Sequence, residues 1–103
     1  MMLVENLRPH DEPPTPKGFK RLCTFSVQVN PDIRLYEMQL LQAPDGRYLV
    51  VPPKHPNGAP MCSLSPHLRE EIAKVASREL ISSYAKKAGD WFNTNYLNHQ
   101  KTR

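Results

Sequence analysis

The chain has 103 residues, enough for one domain with a modest core and too few for two. At 39% hydrophobic and 23% charged residues it reads as an ordinary soluble fold, and no apolar run reaches the length of a membrane span. Eleven prolines predict short elements and long connections, and the net charge of +4 is uneven: seven Lys/Arg face six Asp/Glu over residues 1–64, and seven face four over residues 65–103.

The opening MMLVENLRPH lacks the zones of a secretory signal, so the expected location is the cytoplasm. Residues 3–7 read as a short strand, and residues 8–18, with four prolines and mixed charge, as an irregular arm. No internal repeat stands out. From Leu22 the alternation is clear: Cys23, Phe25, Val27 and Val29 share one face, and Thr24, Ser26 and Gln28 the other. This is a strand with one core face and one polar face.

Asn30-Pro31-Asp32 turns the chain into a hairpin over residues 33–54. In its first strand Ile33 and Leu35 point one way, and Tyr36, Met38 and Leu40 the other. Pro44-Asp45-Gly46 is a turn in which Pro44 presets φ and Gly46 takes the left-handed position of a bulged hairpin. The second strand, Tyr48-Leu49-Val50-Val51, stops at Pro52-Pro53, which remove two ladder donors. All four of its residues are apolar, so both faces of the sheet are expected to be buried there. One face can lie under a helix; the other needs the N-terminal segment, the C-terminal tail or a second subunit. Tyr48, Leu49, Val50 and Val51 are therefore the expected core and dimer residues.

Pro56-Asn57-Gly58 is another turn, and residues 59–64 are a candidate short edge strand. Ser65-Pro66 opens a helix, with Ser65 as N-cap and Pro66 in the first position. Glu70 and Glu71 suit its positive end, Lys86 and Lys87 its negative end, and Gly89 its stop. Leu68, Ile72, Val75, Ala76, Leu80 and Tyr84 form the apolar stripe, and Glu70 and Lys74 are spaced for an ion pair. Asp90 can cap a further turn carrying Trp91 and Phe92, an aromatic tail too short to stand alone. The expected organisation is an arm over 1–18, an α+β domain over 19–89 and a tail over 90–103.

No catalytic constellation stands out: there is no Gly-rich phosphate loop, no nucleophile beside a base and no framed carboxylate pair. No cofactor or enzymatic activity is therefore expected. His55, Cys62 and His67 lack paired metal-ligand spacing, and Cys23 and Cys62 read as reduced, partly buried thiols. What remains is cationic. Arg47 and Lys54 flank the second hairpin strand, and Arg69, Lys74, Arg78, Lys86 and Lys87 lie on the helix. Such a set can meet phosphates of DNA or RNA without reading their sequence.

The run FSVQVNPDIRLYEMQLLQAPDGRYLVVPPKHPNG, followed by a helix with Arg69 and Ile72, resembles the SpoVG (stage V sporulation protein G) family over roughly residues 20–85. Gly46 through Lys54 resembles the family's G-L-F-V-x-M-P-S-K-like segment, and Asn57-Gly58 stands at its D-G turn. Pro53 replaces the family's Ser and Leu68 its Thr. The resemblance implies a small α+β domain that dimerises through its sheet and a DNA- and RNA-binding regulator, tied in some bacteria to sporulation or septation. By position it puts Lys54 and Arg69 first among phosphate contacts.

The expected architecture is an antiparallel meander of three to four strands followed by one main helix, dimerising through the sheet. The expected function is nucleic-acid regulation by a homodimer. The rival is a protein-interaction module using a free sheet edge and the Trp91-Phe92 tail.

Overall fold

Strands β1 (Leu3–Pro9), β2 (Lys20–Asn30), β3 (Ile33–Gln42) and β4 (Tyr48–Val51) pair in chain order as one antiparallel sheet, and α1 (Pro66–Phe92) packs on one of its faces. A computed structural model describes residues 2–92, and the side chains of residues 2–85. This is the expected α+β meander followed by one helix.

Three turns share one build, X-Pro-X-Gly-X, at residues 15–19, 43–47 and 55–59. In the second, the Gly46 N–H donates to the Ala43 carbonyl at 2.9 Å and the Ala43 N–H to the Arg47 carbonyl at 2.8 Å. Gly46 sits at φ 91°, which no Cβ-bearing residue takes without strain. The same pair of bonds closes the Thr15–Phe19 and His55–Ala59 turns. The first of these closes the arm, whose residues 10–15 are irregular as expected. It packs on the second: a Cβ on Gly18 would stand 2.8 Å from Pro44 Cγ.

β1 extends to Pro9, beyond the short strand read in residues 3–7. The face expected to be wet is also drier than its polarity suggests. Thr24 and Ser26 are 5% and 6% exposed, lying beneath cross-strand partners. Thr24 Oγ1 hydrogen-bonds His10 Nε2 at 2.7 Å, and ion pairs Arg8–Glu37 and Arg34–Glu5 join β1 to β3 across the same face.

β3 breaks the expected alternation. Val27 pairs with Leu35 and Phe25 with Met38, so β3 spends one extra residue opposite β2. Leu35 and Met38 thereby both turn toward the core, while Tyr36 is left 60% exposed. β1 makes a matching bulge, for Glu5 pairs with Ser26 and Arg8 with Thr24. The two non-glycine residues at positive φ, Asn6 and Glu37, fall in these two bulges. Residues 59–64 form no strand; Lys54 and Pro60 make an isolated bridge, since Pro52, Pro53, Pro56 and Pro60 supply no donors.

The core joins Cys23, Phe25, Val27, Met38, Leu40 and Val50 of the sheet to Ile72, Ala73, Ala76 and Leu80 of α1. Burying this apolar surface is the main force holding helix on sheet. Ser65 caps α1 as expected, its Oγ accepting the Leu68 N–H at 3.1 Å. The helix begins beside β4 and crosses toward β1. Tyr84, expected in the stripe, is 50% exposed, and Ala73, which was not expected there, is buried against the sheet. Gly89 does not stop the helix, which runs on to Phe92: one interior glycine costs only about 1 kcal/mol, and good helix formers precede it. Lys86 and Lys87 consequently miss the last turn, while Glu70 and Glu71 lie just past the first turn, which opens at Pro66. The side chains of Lys86, Lys87, Trp91 and Phe92, and all of residues 93–103, lie outside the described residues.

Candidate nucleic-acid interface

Arg47 leaves the β3–β4 turn held by Asp45, which accepts its main-chain N–H at 3.1 Å and its Nε at 2.7 Å. These contacts hold the Asp45 carboxyl below the usual carboxylate range. Arg69 projects from the first turns of α1 beside Tyr48, Leu49, Val50 and Val51, where the helix overhangs the outer edge of β4. Lys74 follows farther along, and with Arg47, Tyr48 and Ser77 it lines a second depression. Its partner is Glu71, at 3.8 Å, rather than the expected Glu70.

Arg47, Arg69 and Lys74 therefore converge along β4. Lys54 and Arg78 do not join them. Lys54 is exposed in the loop beyond Pro52-Pro53, and Arg78 is exposed on the side of α1 away from Ile72 and Ala76. Neither of those two, nor Arg69, has an acidic partner among the described residues. The arginines of β1, β2 and β3 differ in this respect. Arg8 pairs with Glu37, Arg21 with Glu12 and Arg34 with Glu5. Arg21 draws the Glu12 carboxyl down, and Glu5 raises the Arg34 guanidinium, whose carbon also lies 5.8 Å from the centroid of the Tyr36 ring.

Within one chain the two faces of β4 differ. Val50 is 3% exposed beneath the helix, but Tyr48, on the same face, is 41% exposed because it lies at the end of the strand. Leu49 and Val51 face away from α1 and are half-buried. Ala73, Ser77 and Pro66 line the depressions without having been expected there. The packing of α1 beside β4, and not any pattern along the helix, brings Ala73 and Ser77 there. Among the described residues no three His, Cys, Asp or Glu side chains converge as a metal set, and no helix is long and apolar enough to cross a membrane.

Neither a family model, nor a curated protein, nor a solved structure matches this chain.

Proposed function

We propose that this chain is a small cytoplasmic regulator that binds DNA or RNA as a homodimer, through phosphate contacts made on the helix side of the domain. The observation that carries the reading is the division of its cations. Arginines of the first three strands are tied to carboxylates, whereas Arg69 and Arg78 on α1 and Lys54 after β4 have no acidic partner among the described residues. These unpaired cations are open to a polyanion, which gains by releasing its counterions. The SpoVG-like run through Lys54 and Arg69 supports the same reading.

The homodimer is supported by the corner where Leu41, Leu49 and Val51, all half-buried in one chain, face away from α1. A second copy covering that corner leaves both helices outward and doubles the phosphate contacts. The test is titration of a labelled duplex and a labelled single strand over a range of salt. Affinity is expected to fall steeply with salt, and the log–log slope to shrink by about one per charge in Arg69→Ala and Arg78→Ala. A slope near zero in the parent chain overturns the reading.

A further inference from the structure

Tyr48, Leu49 and Glu70 line both depressions beside β4, so the two depressions meet at these residues. Arg69 stands at one of them, and Arg47 and Lys74 at the other. Val50 is 3% exposed beneath α1, so the groove offers side chains and not open strand backbone. Tyr48, the aromatic residue of the lining, is 41% exposed. Asp45 and Glu71 are held by Arg47 and Lys74, through exposed contacts of the kind that exchange readily. Glu70 is exposed as well, yet it has no cationic partner among the described residues. The meeting point therefore joins a partly exposed aromatic ring to an uncommitted carboxylate, with cations to either side.

We propose that this groove takes a single-stranded nucleic acid, with one base stacked on Tyr48 and the exocyclic amino group of that base donating to Glu70. The inference rests on the nucleic-acid reading above and narrows it to one strand and one kind of base. Three features select this occupant. An aromatic side chain offers a stacking face to an unpaired base, whereas the bases of a duplex are already stacked on their neighbours. An ionised carboxylate accepts hydrogen bonds and donates none. It therefore favours cytosine, whose N4 donates, over thymine or uracil, whose O4 accepts at the same place, and a single strand leaves that edge free. Arg69 to one side, and Arg47 with Lys74 to the other, are placed to meet the phosphates that flank the base. Glu70 repels those phosphates, and a donor edge beside it turns that repulsion into a choice among bases.

The experiment uses the full chain and follows binding by fluorescence anisotropy. The probes are labelled single strands of cytosine or thymine in DNA, of cytosine or uracil in RNA, and a mixed-sequence duplex. Cytosine strands are expected to bind about tenfold more tightly than thymine or uracil strands, and more tightly than the duplex. The tighter of the two cytosine strands identifies the sugar that the groove takes. Tyr48→Leu should weaken binding of that strand about tenfold, and Tyr48→Phe should leave it unchanged. Neither variant removes a charge, so both should keep the salt slope of the parent. Glu70→Gln, at an exposed position, should bring the cytosine and thymine or uracil strands to within about twofold of each other. Equal affinity for these strands in the parent, tighter binding of the duplex, or a Tyr48→Leu chain that binds as the parent does overturns the proposal and leaves the nucleic-acid reading standing. Binding to none of the probes, or a salt slope near zero, overturns both.

Discussion

Arg8 Nη2 lies 2.8 Å from both carboxylate oxygens of Glu37, and this contact ties the bulge of β1 to the bulge of β3 across β2. Glu37 itself sits at φ 54°, a conformation that costs an L-residue with a full side chain roughly 1–2 kcal/mol. The pair is exposed, so its attraction is worth less than about 1 kcal/mol and does not offset that strain. Its effect is positional: it joins the two bulges on the face where Arg8 stands opposite Thr24.

The two effects separate by substitution. Glu37→Ala loses the pair and keeps the strain, while Glu37→Gly loses the pair and relieves the strain. Glu37→Gly is expected to be the more stable of the two by about 1 kcal/mol, and Arg8→Ala to cost under about 1 kcal/mol. Urea unfolding midpoints at constant slope measure this. Equal midpoints for Glu37→Ala and Glu37→Gly mean that the left-handed residue stores no strain.

The cysteines should differ in chemistry although both are free thiols. Cys23 is 0% exposed, and burial pushes its thiol up to about 11, whereas Cys62 is half-buried in the loop before α1. A thiol reagent at neutral pH should therefore modify Cys62 first and reach Cys23 only through unfolding. The sign of the pH effect follows. The fold favours the protonated Cys23 thiol, so this contribution is complete below the ordinary thiol value. It is lost as pH rises toward about 11. Cys23→Ala should flatten the alkaline limb of the stability curve, and equal labelling rates for the two thiols would contradict the placement of Cys23 in the core.

Local chemistry explains what could be read from the residues alone. The alternation of Cys23, Phe25 and Val27 marks β2, Pro44-Asp45-Gly46 marks the hairpin, and Ser65-Pro66 marks the start of α1, because each depends on neighbours along the chain. β1 was only partly legible, since Glu5 and Arg8 are held by Arg34 and Glu37, which are remote in sequence. The parity of β3 was hidden for a similar reason: nothing about a glutamate at position 37 announces a positive φ. At the candidate site the cations were visible, but their grouping was not. Arg47 and Lys74 line one depression only because the hairpin end lies beside the second and third turns of α1, whereas Lys54, seven residues from Arg47, lies beyond Pro52-Pro53.

The helix offers a test of which side chains hold it to the sheet. Ile72→Ala removes a fully buried side chain at the centre of the core and should cost about 2–5 kcal/mol, a large part of the stability of a domain this small. Tyr84→Ala, half exposed on the same helix, should change stability by less than about 0.5 kcal/mol. Ser65→Ala should cost about 1 kcal/mol by leaving the Leu68 N–H without its acceptor. Thermal or urea unfolding ranks the three. A Tyr84→Ala loss as large as that of Ile72→Ala would place the tyrosine in the core and contradict the observed course of α1.

Acid should weaken the fold through two ion pairs in particular. Arg21 beside Glu12, and Arg47 beside Asp45, hold those carboxyls below their ordinary range. A carboxyl lowered in the folded state contributes stability above its unfolded value and loses it as pH falls through the folded value. The stabilising effect is therefore present at neutral pH and disappears in acid. Both pairs are exposed, so the contribution is small and shrinks further in high salt. Glu12→Gln and Asp45→Asn, combined, should flatten the acid limb of the stability curve at low salt by lowering stability slightly at neutral pH and leaving it unchanged in acid. The Asp45 substitution carries a second consequence, because its carboxylate also accepts the Arg47 main-chain N–H that shapes the turn. Asn keeps that acceptor and removes only the charge. A loss at neutral pH in Asp45→Asn as large as in Asp45→Ala would therefore show that charge, and not turn geometry, holds Arg47 at the end of β4.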